Sequence, residues 1–515
     1  MKAGKHSFKR AAGVLLPVSS LPSPYGIGNF GKDARHWVDF LQDAGQTYWQ
    51  TLPLSPTGEG DSPYQSFSAF AGNQFFIDFD TLREEGLLER EEYAGLNWGA
   101  DDQHVDYKTV YINRELVLRK AFSRFTDIAA LDGFILSNPW FEEYGLYMAI
   151  KAAQGLKGWL EWKEPLRNRE KDAINQAKAE FSEDIKFHAF AQYQFDRQWS
   201  ALRNYANAKG VRIIGDIPIY VSLDSADIWG NRNLFQLDKN HVPIEVSGCP
   251  PDYFSKEGQL WGNPLYDWEA MERSGYRWWI SRLRKSFDLF DVMRIDHFRG
   301  LESYYAIPYG DATAENGHWK PGPGREFVDV IENCVKDAKI IAEDLGYHTD
   351  GVRELLEYSG YPGMKIVQYA FGNDATDDNI PYKYTADTVV YTGTHDNDTV
   401  KGWRRGASRA CVRQALEYMG IRRERDIPDG MIRLALQSGS NIAIIPIQDW
   451  LGLGSSARMN TPSTVGGQNW RWRMSRGALT DRLAQKIARM THIYGRFKEP
   501  EAADRRPESQ NNWEV

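Results

Sequence analysis

What most constrains this chain is a rhythm of short, nearly continuous apolar runs separated by helix-length amphipathic segments. The runs are GVLL (Gly13–Leu16), YWQTLPL, VRIIGDIPIY, DVMRIDHF, IIAEDLG, MKIVQYAF, TVVYTGTHDND and NIAIIPIQDW. Between them lie patterns with apolar residues three and four apart, such as DARHWVDFLQDAG, which stops at Gly45, and RWWISRLRKSFDLF. Strands that are apolar on both faces and alternate with helices predict a parallel sheet covered on both sides. Eight such strands predict an α/β fold of the (β/α)8 TIM-barrel type. A doubly wound open sheet is the alternative, but no glycine-rich phosphate fingerprint follows the first run.

The rhythm lapses twice. A mainly helical insertion is expected at 58–184 and a loop-rich one at 225–275, both interrupting a catalytic barrel that spans 1–500; residues 501–515 read as a loose polar tail. With 515 residues, 42% of them hydrophobic, the chain can bury a large core. A formal net charge of −8 argues against a nucleic-acid footprint. Cys249, Cys334 and Cys411 are odd in number and far apart, which fits no disulfide framework or zinc spacing and suits a reducing, cytoplasmic setting. The first twenty residues imitate a signal peptide, yet Pro17 interrupts the apolar run and GVLLPV serves equally well as a strand. No run of 18 apolar residues exists to span a membrane.

Four runs end in acids: Asp216, Asp296, the pair Glu343 and Asp344, and Asp396 after His395. In a barrel these ends converge at one mouth, where catalytic groups sit. Arg294 and Asp296 share strand parity, so a guanidinium and a carboxylate point to the same face. Such a pair is either a structural ion pair or chemistry. Crowded carboxyls split their proton affinities, the division of labour that glycoside cleavage requires. The competing reading is ordinary: an acid after a strand is often a helix cap or a turn former. A metal site is a further possibility, but no His-x-His or HExxH spacing supports one, and no metal or other cofactor is expected.

The four acid-bearing segments resemble the four short blocks of the α-amylase superfamily. Together with YWQTLPLSPTGEGDSPYQSFSAFAGN and GCPPDYFSKEGQLWGNPLYDW, they make residues 10–497 similar to the 4-α-glucanotransferases of glycoside hydrolase family 77. The resemblance implies Asp296 as nucleophile, Glu343 as general acid/base and Asp396 as a third carboxylate holding sugar hydroxyls. It implies that Arg294 orients Asp296, and that His297, His395 and Asp216 line the subsite of the cleaved glucose. Ser62, Tyr64, Tyr220, Asp252, Tyr253, Phe254, Gln259, Trp261 and Asn263 are the remaining candidate substrate contacts. Tyr64, Tyr253, Phe254 and Trp261 sit in polar, glycine-rich segments, where stacking on a sugar competes with ordinary packing; Trp199, Trp278 and Trp279, on helical patterns, are expected to pack. The implied fold lacks a C-terminal β-sandwich. The implied partners are α-1,4-glucans and maltooligosaccharides, with glucose as an acceptor, and neither nucleic acid nor membrane.

Residue types alone do not separate transfer from hydrolysis. Against water at about 55 M, a sugar acceptor at ~10 mM must be favoured several-thousand-fold, about 5 kcal/mol in barrier. The 248–268 loop is the expected source of acceptor binding and water exclusion. The alternatives are an α-glucan hydrolase and a catalytically inactive glucan-binding protein.

Overall fold

The computed structural model describes residues 6–99, 101–251, 255–335, 338–346, 349–372 and 378–497. In chain order its strands are β1 (Ala11–Leu15), β2 (Tyr48–Gln50), β3 (Arg212–Pro218), β4 (Glu245–Cys249), β5 (Gln259–Pro264) and β6 (Val292–Asp296). They continue with β7 (Ser303–Pro308), β8 (His318–Pro321), β9 (Ile340–Ala342), β10 (Gly363–Ile366), β11 (Thr388–Tyr391) and β12 (Ile442–Pro446).

Eight of them form one all-parallel sheet in the order β10-β11-β12-β1-β2-β3-β6-β9. These are the eight apolar runs of the sequence, with the first strand starting two residues earlier than expected. The seam between β9 and β10 is closed by single bonds. Ala342 N donates to Pro362 O (3.0 Å), and Met364 N donates to Asp344 Oδ1 (2.7 Å). Asp344 is therefore occupied in closing the barrel. The strands are buried along nearly their whole length, because helices cover the outside and side chains fill the inside. Trp199, Trp278 and Trp279 are buried in this packing.

The 58–184 segment carries helices and no strand among its described residues, including Tyr107–Arg124 and Phe141–Ala153, and it runs into the long helix Ser182–Ala208. Several start at an aspartate whose carboxylate accepts a first-turn N–H, as Asp78 does from Thr81 and Asp127 from Ala130. The 225–275 segment departs from expectation. It contributes β4 and β5 to an antiparallel sheet, β5-β4-β7-β8, completed by residues beyond the segment. The strands EVSGC and QLWGNP lack clean alternation, and their pairing with 303–308 is long-range, so no local signal marks them. From β5, Asn263 reaches Val221 O, just after β3, and Trp261 meets His297, just after β6. No helix among the described residues is long and apolar enough to cross a membrane.

Candidate active site

The register of β3 and β6 sets Asp216 directly beside Arg294 and Pro218 beside Asp296. Arg294 Nη1 contacts Asp216 Oδ2 at 2.6 Å and Oδ1 at 2.7 Å, while Nη2 reaches Asp296 Oδ1 at 2.8 Å. Its Nε donates to Met364 Sδ (3.3 Å). One guanidinium thus ties two carboxylates on neighbouring strands. The arginine's side chain is 4% exposed, Asp216 has no exposed side-chain surface, and Asp296 retains 28%. So Asp296 faces the barrel mouth and Asp216 does not. Asp216 is tied to Arg294 and lines a cavity with Tyr64 and Tyr220.

Glu343 follows β9 and is buried. His297 N donates to its Oε2 (2.7 Å) and Leu345 N to its Oε1 (2.8 Å), which fixes the carboxyl plane. His297 adopts a left-handed conformation (φ 56°), and that turn aims its N–H at Glu343. Burial raises the proton affinity of both Glu343 and Asp296, opposed in each by the Arg294 charge; Asp216, Glu343 and Asp396 raise that of Asp296 further. The guanidinium in direct contact with Asp296 favours its charged form, while two main-chain N–H bonds favour the charged form of Glu343 against its burial.

Asp396 leaves β11 on a loop and is 43% exposed. Asn460 Nδ2 donates to its Oδ1 (2.7 Å), Arg458 Nη2 to its main-chain oxygen (2.6 Å), and His395 Nε2 lies 3.4 Å from Oδ2. Tyr64 links the two halves of the site. Its hydroxyl donates to Asp216 Oδ2 (2.7 Å) and is 2.9 Å from His395 Nε2, with the two rings stacked at 5.3 Å. The phenol has a single proton, given to Asp216, so His395 Nε2 must carry hydrogen to complete the second bond. Burial favours neutral His395 and raises the Tyr64 phenol well above its usual value.

His297 closes the opposite wall. Trp261 meets its ring edge-on at 4.7 Å and Tyr220 lies at 6.5 Å. Burial and Arg299 push its pKa down to about 3, and its Nε2 is buried with no hydrogen-bond partner among the described residues. Asn263 is committed to Val221 O (3.0 Å), Gln259 accepts from Trp261 Nε1 (3.2 Å), and Ser62 Oγ accepts from Tyr64 N (3.2 Å). Asp252, Tyr253 and Phe254 lie outside the described residues. The sequence reading missed Asn460, Arg458 and Trp470, whose ring packs 5.9 Å from His395 and 5.7 Å from Tyr64. They come from the aperiodic stretch 455–470, which carries no local signal.

An eight-stranded parallel barrel with three carboxylates and one bound guanidinium at its C-terminal mouth defines the class of barrel enzymes built for glycosidic bonds. Within that class the chain belongs to the 4-alpha-glucanotransferase family (glycoside hydrolase family 77), whose pattern matches residues 16–480. It is 46% identical to the 4-alpha-glucanotransferase of Clostridium butyricum over 486 residues, covering 93% of this chain and 100% of that one. It is 44% identical to that of Thermus thermophilus over 502 residues, covering 95% and 99%. Among solved structures, the amylomaltase of Streptococcus agalactiae in complex with acarbose superposes with a TM-score of 0.93 at 41% identity, covering 95% of this chain and 100% of that one.

Proposed function

We propose that this enzyme transfers α-1,4-glucan segments from a maltooligosaccharide or starch-like donor to the 4-hydroxyl of glucose or a maltodextrin by double displacement. Asp296 attacks the anomeric carbon, the glycosidic C–O bond breaks, and Glu343 gives its proton to the departing oxygen. Glu343, now ionised, takes the proton of the acceptor hydroxyl, whose oxygen displaces Asp296 and restores the α-configuration. Asp396 and His395 hold hydroxyls of the donor sugar, and the unpartnered Nε2 of His297 is available to another. The observation that carries this reading is the Arg294 bridge, which sets a cation against Asp296 and favours its charged form, with Glu343 buried where its proton affinity is raised.

Both displacements run at one mouth, so we treat the barrel as one catalytic unit with 58–184 and 225–275 as insertions around it. Trp261 and the loop at its side supply the acceptor surface that lets a sugar compete with water. The odd, scattered cysteines support a cytoplasmic setting. Chromatography of maltotriose incubations tests the function. A ladder of longer and shorter oligosaccharides is expected from the native enzyme, and Asp296→Asn should abolish it. Simple shortening would mean a hydrolase, unchanged maltotriose a binding protein, and more than a few per cent residual activity in Asp296→Asn would remove Asp296 as nucleophile.

A further inference from the structure

The loop that carries His395 and Asp396 leaves β11 at Tyr391 and ends where the helix Val400–Gly406 begins. Both of its ends are held by one side chain that none of the proposed chemistry uses. Asp449, at the turn after β12, is 4% exposed. Its Oδ2 accepts from Thr392 Oγ1 (2.6 Å), at the start of the loop, and its Oδ1 accepts from Val400 N (2.8 Å), at the end. Gln368 N also donates to Thr392 O (3.3 Å) at the start, and other contacts hold the interior. Thr394 N donates to Asn397 Oδ1 (2.8 Å), Gln368 Nε2 donates to Asp398 O (2.8 Å), and Ser455 Oγ donates to Asp398 Oδ2 (2.7 Å).

We infer that Asp449 is a positioning residue, whose carboxylate clamps Thr392 and Val400 and thereby sets where Asp396 stands at the barrel mouth. This rests on the reading of Asp396 as the third carboxylate. The clamp suits a carboxylate, since both partners are donors and only an ionised group accepts on each oxygen without supplying a hydrogen of its own. An amide or a protonated acid must turn one donor toward a donor, or rotate the threonine.

The clamp is also poised to titrate. Burial lifts the Asp449 carboxyl to about 6, against the lowering from the Thr392 and Val400 bonds, and the Asp398 charge adds to the rise. Arg458 and His395 line the same cavity of about 20 Å³ as Asp449, and Lys401 is engaged nearby with Gly452 O (2.9 Å). The raised pKa fixes the direction. The clamp is intact above about pH 6 and weakens as pH falls through it.

The test compares kcat and KM for maltotriose disproportionation in native enzyme, Asp449→Asn, Asp449→Ala and Thr392→Val between pH 5 and 8, with melting temperatures alongside. At pH 7.5 Asp449→Asn should lower kcat about fivefold to tenfold, Asp449→Ala more, and Thr392→Val a few-fold, with KM changed less than kcat. The native-to-Asn ratio of kcat should shrink toward one as pH drops below 6, because protonation brings the native enzyme to the state of the variant. A ratio constant across pH, or Asp449→Ala within about twofold of native kcat, would overturn the inference. Should Asp449→Ala fail to fold, the pH-dependent ratio with Asn and the threonine variant decide in its place. Near-native activity in Asp396→Asn would sink the reading of Asp396 separately, without touching the pH ratio.

Discussion

Replacing Arg294 with methionine removes the cation that two carboxylates share while keeping much of the side-chain volume. With charge centres about 4 Å apart and an effective dielectric near 20, the guanidinium is worth about 4 kcal/mol to ionised Asp296. Asp216 loses its partner as well. With no exposed side-chain surface, it keeps the Tyr64 hydroxyl as a remaining tie. Burial already raises the Asp296 carboxyl, and without the guanidinium it rises further. Ionised Asp296 is the active form, so activity is present above its pKa and lost as pH falls through it. The acid limb of kcat/KM for maltotriose disproportionation should therefore move to higher pH, with a loss that is greatest on the acid side, limited to about a thousandfold by the ~4 kcal/mol, and that shrinks as pH rises. Arg294→Lys keeps a charge but not the fork that reaches both acids, and should fall between. An acid limb that stays in place, or a loss equal at every pH, would refute the charge argument and leave Arg294 a purely structural tie.

Two further outcomes follow from the same geometry. Glu343→Gln should cost about a thousandfold in kcat on maltotriose but far less on an α-maltosyl fluoride donor, whose leaving group needs no proton; equal losses on both would remove Glu343 as the acid. Arg496, 1% exposed, donates to the main-chain oxygens of Ala11, Leu436, Ser438, Ser440 and Asn441. Arg10 also donates to the main-chain oxygens of Leu436, Ser438 and Ser440, and Ala11 N to that of Asn441. Arg496→Ala therefore leaves these four oxygens a donor each and should lower stability by about 1–2 kcal/mol in urea titrations, with the activity of the folded fraction unchanged because the arginine sits at the N-terminal end of the barrel strands.

The barrel was legible because a strand buried on both faces has to be apolar throughout, and eight such runs stand out against the helical periodicity around them. The pairing of Arg294 with Asp296 was legible from parity alone. The tie from Arg294 to Asp216 was not. It needs the β3–β6 register, which joins residues 78 apart and leaves no trace in either segment. The antiparallel sheet of β4, β5, β7 and β8 was missed for a related reason, since its short strands of mixed polarity gain their identity only from distant partners. Asn460, Arg458 and Trp470 lie in irregular chain, where no period exists to be read.

By itself, then, the order of residues determined the architecture and which acids crowd its mouth, because strand and helix patterns are local consequences of burial and chain geometry. Tertiary structure alone decided where each acid stands: Asp216 is tied to Arg294, Asp344 closes the seam, Asp296 keeps part of its surface open and Glu343 is buried. Charge and proton affinity depend on solvent and neighbours within a few ångströms, and those neighbours arrive from strands far apart along the chain.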